Sequence, residues 1–190
     1  MESKAPKLVV QGTLMHTPVL GEVEVIENAA VGINEDGVIC SVKRPADENY
    51  HQFISAASDR GALEKLGSKQ YLLPGLVDTH VHAPQWPQMG NVLDVPLNVW
   101  LEKYTFPLEA KYADLDFAGA VYQSLVNTLI ANGTTTAMYY ATIHLQASQL
   151  LAQICLQKGQ RALVGKITMD NPEQCPDYYR DASTAQGLDD

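Results

Sequence analysis

Cysteine is scarce and unpaired in this 190-residue sequence: Cys40, Cys155 and Cys175 are far apart and odd in number, with no CxxC pair. That excludes a disulfide framework and a cysteine zinc site, and makes a reducing, cytoplasmic setting the expectation. Basic charge is also short. Thirteen Lys and Arg face twenty-two Asp and Glu, for a net charge of −9, and the arginines at 44, 60, 161 and 180 are scattered. Phosphate contacts need clustered cations, so neither nucleic acid nor an anionic membrane surface is an expected partner; a small molecule or another protein is. The N-terminal "MESKAPKLVVQG" lacks the apolar core of a signal peptide, and no apolar run approaches about 18 residues. Internal repeats, low-complexity tracts and heptads are missing as well.

What remains is ordinary core-forming material, 46% hydrophobic, enough for one or two domains. Residues 8–43 read as β structure, with the "NEDG" at 34–37 as a hairpin turn. Residues 46–70 are polar, with one helix-like piece that Gly61 interrupts. The division falls there: 1–70 as part of a small β domain, 71–190 as something else.

From Tyr71 the order is strand, helix, strand, helix, strand. "LLPGLVDTHVH" (72–82) is the first strand, with Pro74 near its start. Residues 83–113, carrying four prolines, read as irregular. "DFAGAVYQSLVNTLIANG" places Phe117, Val121, Leu125, Thr128 and Leu129 on one helical face, with Asp114 or Asp116 to cap its start and Gly133 after its end. "TTTAMYYATI" is the second strand. "SQLLAQICLQKG" is a helix opened by Ser148 and closed by Gly159, and "RALVGKITMD" is the third strand. Such alternation implies parallel strands in an α/β fold, an open doubly wound sheet or a barrel. The first strand-to-helix turn has "DTHVHAPQW" where a dinucleotide fold would have GxGxxG, and histidines at the carboxyl end of a first strand suit the catalytic face of a barrel.

Alternation along a strand puts Leu76, Asp78, His80 and His82 on one face and Val77, Thr79 and Val81 on the other. The first set is expected to face the barrel interior and the second the outer helices. Two imidazoles side by side at a strand's mouth can both offer nitrogen to one metal ion. Asp78 either orients an imidazole or satisfies buried backbone donors. His144 fits a pocket-wall or capping residue better than a ligand, and His16 and His51 carry no signal.

The stretch "LPGLVDTHVHAPQ" resembles the amidohydrolase superfamily, metal-dependent hydrolases and deaminases on a (β/α)₈ barrel. "WLEKYTFPLEAKY", "NGTTTAMYYATIH" and "GQRALVGKITMDNPEQCPDYY" narrow the likeness to its guanine deaminase subgroup, over about residues 8–185. The resemblance implies that His80 and His82 bind one Zn²⁺ and that His82, Ala83, Pro84 and Gln85 line a guanine pocket. The Gln85 amide, donor and acceptor at once, can read a purine's polar edge. Trp86 and Trp100 lie over the strand mouth, where an indole can stack on a flat base, and Trp100 is taken as substrate-contacting. Lys103 and Tyr104 fit lid residues. The implied reaction is hydrolytic deamination of guanine to xanthine and ammonia, in an enzyme expected to be a homodimer when complete. The cytidine-type zinc deaminases, with H-x-E and P-C-x-x-C, are not matched.

An eight-unit barrel takes about 250 residues. Residues 71–190 hold about three strands, and the resemblance's later histidine pair, acid/base glutamate, last-strand aspartate and base-contacting arginine have no matching position. No catalytic acid/base is therefore identified. The sequence is expected to be the N-terminal portion of such an enzyme, inactive by itself. Two other readings stand beside this one: an amidohydrolase acting on a different heterocycle, and a non-catalytic remnant that pairs its exposed third strand with another chain.

Overall fold

The computed structural model describes residues 5–190, in two compact units that divide between Pro74 and Gly75. In the first unit, β1 (Leu8–Val19) and β2 (Glu22–Ile33) form a long antiparallel hairpin, turned at Leu20–Gly21 with Gly21 at φ +83°. The "NEDG" turn forms as expected and leads into β3 (Ile39–Lys43), antiparallel to β2. Asn34 Oδ1 accepts from the backbone N–H of Asp36 at 3.0 Å and of Val38 at 2.9 Å, closing that turn.

Helix α1 (Tyr50–Asp59) ends before Gly61, and two short strands follow it, β4 (Leu63–Lys65) and β5 (Tyr71–Leu72), both parallel to β1. The pairing of Tyr71–Leu72 with β1 puts the division after Pro74, four residues beyond the expected position. It also splits "LLPGLVDTHVH" into two strands, since Pro74 has no N–H for a ladder. The core of this unit is Val9, Ala30, Tyr50 and Ala57 on one side and Leu14, Ile26, Ala29 and Val31 on the other.

The second unit is built on a three-stranded parallel sheet in the order β6 (Leu76–His82), β7 (Thr134–Tyr140), β8 (Arg161–Gly165). The strands lie so close at their start that a Cβ on Gly75 would stand 1.9 Å from Thr135 Oγ1, so this position takes glycine alone. After β6 comes a 3₁₀ turn, Ala83–Gln88. Residues 97–113, expected as irregular, are helical throughout: α2 (Leu97–Trp100), a π-helical turn (Leu101–Thr105), α3 (Phe106–Glu109) and a 3₁₀ turn (Ala110–Ala113). Pro107 is accommodated because it sits in the first turn of α3, where its missing N–H breaks no bond of that helix.

The connection to β7 is α4 (Leu115–Ala131), capped by Asp114, whose Oδ1 accepts from Asp116 N at 2.9 Å and Phe117 N at 3.3 Å. Its buried stripe is Ala118, Tyr122, Leu125 and Val126, one step round from the expected face. The helix packs against both the sheet and α5 (Leu145–Lys158), so its deepest line runs between the two; Phe117, Val121 and Leu129 flank it, partly buried. Helix α5 begins three residues before Ser148. That serine is inside the helix and donates from Oγ to the His144 carbonyl at 3.2 Å. Gly159 ends α5 in the left-handed region, as expected. The unit closes with a 3₁₀ turn, Asp177–Tyr179, and α6 (Thr184–Asp189). Among the described residues no helix is long and apolar enough to cross a membrane.

Candidate metal and base site

Strand alternation brings His80 and His82 together at the carboxyl end of β6, their Nε2 atoms 2.9 Å apart. Both rings lie against Tyr140 of β7, stacked at centroid distances of 4.4 Å and 5.3 Å. This follows from register, because His82 pairs directly with Tyr140. Asp78 Oδ1 accepts from the backbone N–H of His80 at 3.1 Å, so of the two roles open to it the backbone contact is the one seen. Burial, and then the neighbouring His80, hold the His82 imidazole below its ordinary pKa, which favours the neutral form a metal ligand needs. On the other face, Val81 packs against the core, whereas Val77 stays 64% exposed and does not meet the helices as expected.

The histidines open onto a cavity of about 310 Å³, a size suited to a small molecule. Asp78, Gln85, Trp86 and Trp100 line it, with Leu125 and Leu129 of α4 as its apolar wall. Trp86 Nε1 donates to Ser124 Oγ at 3.2 Å, while the Trp100 Nε1 is buried without a partner among the described residues. Ala83 and Pro84 are placed differently. Both are buried in the body of the unit, and the Pro84 carbonyl accepts from Tyr112 OH at 2.9 Å. Lys103 and Tyr104 are exposed on the π-helical turn. His144 lies four residues past β7 at the start of α5, its ring edge-on to Tyr179 and its Nε2 buried without a partner among the described residues.

The helical run from Leu97 to Ala113 contributes residues that lie within the quoted stretch "WLEKYTFPLEAKY" but were given no individual role by the sequence. Thr105, Phe106, Glu109 and Tyr112 are all buried, spaced as one face of a continuous helix. Gln88 Nε2 donates to Thr105 Oγ1 at 2.9 Å, and Gln85 Nε2 donates to Glu109 Oε1 at 3.0 Å. The other oxygen of Glu109 accepts from Tyr179 OH at 2.6 Å. Burial raises the Glu109 carboxyl above its usual range against the pull of these two donors. The signal for Glu109 was its place on that stripe, visible only once 105–112 is read as helical.

As donors, the two imidazoles fit one ion between them: two nitrogens on one strand face, converging, with open space beyond. No group of three or more His, Cys, Asp or Glu that could hold a metal occurs among the described residues.

The amidohydrolase family model matches residues 71–188, which hold the whole of this arrangement. The chain belongs to the amidohydrolase family. Its second unit accordingly supplies three strands of the amidohydrolase (β/α)₈ barrel, β6 being the one that carries the histidine pair. Among curated amidohydrolases it is similar to the guanine deaminase of Dictyostelium discoideum, at 44% identity over 190 residues, covering 93% of this chain and 41% of that protein. The human guanine deaminase is 38% identical over 181 residues, covering 90% of this chain and 37% of that protein. Among solved structures, guanine deaminase from C. acetobutylicum with guanine bound in its active site superposes with a TM-score of 0.80 at 29% identity, covering 96% of this chain and 40% of that one. A triazine hydrolase shares the fold, with a TM-score of 0.72 at 15% identity. The chain thus spans about two fifths of the length of the relatives it matches.

Proposed function

We propose that the complete gene product carrying these residues hydrolyses guanine to xanthine and ammonia, with His80 and His82 as ligands of one zinc ion. The observation that carries this reading is the converging imidazole pair at the mouth of a small-molecule cavity. Identity of 38–44% to proteins named guanine deaminase supports the choice of substrate. Zinc bound at the pair supplies Lewis acidity, which brings the pKa of water down to about 7.

The chain's own residues position the reactants. Tyr140 limits the rotation of both imidazoles by stacking on them. The 3₁₀ turn after His82, tied to residues 105–112 by three hydrogen bonds, presents Gln85 to the cavity. Gln85 and Trp100 contact the base, His82 stands where cavity and metal pair meet, and Ala83 and Pro84 form the buried support beneath. In the reaction water adds oxygen to the amino-bearing ring carbon and the carbon–nitrogen bond breaks. One water proton leaves with ammonia and the other ends on a ring nitrogen. No residue of this sequence is assigned that proton transfer.

The test is purification of the complete gene product, metal analysis, and chromatographic detection of xanthine from guanine. About one zinc per active site and stoichiometric xanthine and ammonia are expected. A preparation that leaves guanine intact but consumes another heterocycle, such as a chloro-triazine, would overturn the choice of substrate.

A further inference from the structure

Gln85 carries an amide whose two arms are opposite in character, one NH₂ donor and one carbonyl acceptor, and its usefulness in reading a base depends on which arm faces the cavity. The chain fixes that choice from behind. Glu109 is 4% exposed and Tyr179 is fully buried, so solvent does not compete for their hydrogen bonds. The Tyr179 phenol, its pKa pushed up by burial, keeps its proton and donates to Glu109 Oε2. With one oxygen so occupied, the carboxylate has only an acceptor, Oε1, left for Gln85 at 3.0 Å. An acceptor there requires the NH₂ arm of Gln85 to point at it.

We propose that Glu109 is a positioning residue for base selection: it holds the NH₂ of Gln85 away from the cavity, so that the carbonyl oxygen is what a bound base meets. This deepens the guanine reading and rests on it for the role of Gln85. The recognised feature is a ring N–H of a lactam, the donor that guanine carries beside its carbonyl, in place of a bare ring nitrogen. Glu109 itself touches neither the base nor the metal pair; it acts through Gln85, and Tyr179 acts through Glu109.

Glu109→Gln inverts the relay while keeping shape. Tyr179 donates to the new carbonyl, the new NH₂ faces Gln85, and Gln85 turns its own carbonyl toward it, leaving its NH₂ on the cavity. The experiment measures the dissociation constants of hypoxanthine, which has a ring N–H, and of purine, which has a bare lone pair at the same position, by calorimetry on the complete gene product. The ratio should favour hypoxanthine in the wild type and shift toward purine by about tenfold or more in Glu109→Gln, because a site loses most when its polar group faces the wrong partner. Glu109→Asp, still an acceptor, should keep the wild-type ratio even where both ligands weaken. If Glu109→Gln does not fold, Glu109→Met, which leaves Gln85 no acceptor to point its NH₂ at, should move the ratio the same way by a few fold.

An unchanged ratio in folded Glu109→Gln, with both ligands weakened equally, would show Glu109 to be structural only and overturn the proposal. Failure of the guanine reading is seen separately, as wild-type protein that forms no xanthine while the ligand ratio still responds to Glu109→Gln.

Discussion

Tyr140 stacks on His80 with ring centroids 4.4 Å apart and planes 26° apart, from the strand position that pairs with His82. One residue of β7 thereby restrains two residues of β6, and the imidazole nitrogens converge because neither ring can swing across Tyr140.

Replacing His80 or His82 by Ala is expected to strip zinc from the complete gene product and abolish xanthine formation, since each imidazole removed takes away one protein ligand of the ion. Elemental analysis after dialysis reads this directly. A double Ala variant that stays zinc-replete and active would show that the pair is not the metal site.

Gln85→Leu should separate binding of the base from binding of the metal. Leucine fills the same space but offers no hydrogen bond and leaves Glu109 Oε1 without its donor. Guanine turnover is expected to fall by about 10²-fold or more with zinc content unchanged. Parallel loss of both would mean that Gln85 supports the fold of the turn.

Asp114→Ala removes the cap of α4 and should cost about 1 kcal/mol, with a fall in Tm of a few degrees. Asp116 lies in the same first turn but caps nothing with its side chain, so Asp116→Ala should cost less. Urea denaturation of the two variants decides; equal losses would assign the effect to charge at the helix N-terminus instead.

Glu109 gives stability a dependence on pH. Its folded-state pKa is raised above the ordinary 4.5, chiefly by burial, with Tyr179 and Gln85 pulling the other way. The buried Tyr112 and Tyr122 hydroxyls are also close enough to feel its charge. A raised carboxyl binds its proton more tightly folded than unfolded. Its contribution is therefore fully present below 4.5 and is lost as pH rises through the folded value. Denaturant unfolding across this window should show a loss of stability on this account that Glu109→Gln lacks. Identical pH profiles for the two proteins would mean that the carboxyl is not shifted.

The sequence made the strand–helix alternation of residues 71–165 legible because parallel units use short links and strong punctuation: Asp114, Gly133 and Gly159 stand where the structure places a cap and two turns. The histidine pair was legible for a similar reason, since a period of two leaves no choice of face. Two features were hidden by prolines. Pro74 separates β5 from β6 and gives Tyr71–Leu72 to the other unit, while the prolines of 83–113 mask a nearly continuous helical segment. With that segment read as irregular, its stripe from Thr105 to Tyr112 had no period to reveal it, and Glu109 went unseen. The buried face of α4 was misjudged by one step because a sequence shows one apolar stripe, whereas this helix answers to two neighbours.

The chain has two tryptophans, Trp86 and Trp100, and both stand in the wall of the same cavity. All the indole emission of these 190 residues therefore originates beside the histidine pair and Gln85. One indole is hydrogen-bonded to Ser124 and the other has no partner among the described residues, so the two are in unlike surroundings before anything binds. A flat aromatic ligand entering this space would quench or shift that light directly. The protein thus carries its own optical gauge of occupancy, and titration needs neither a label nor turnover.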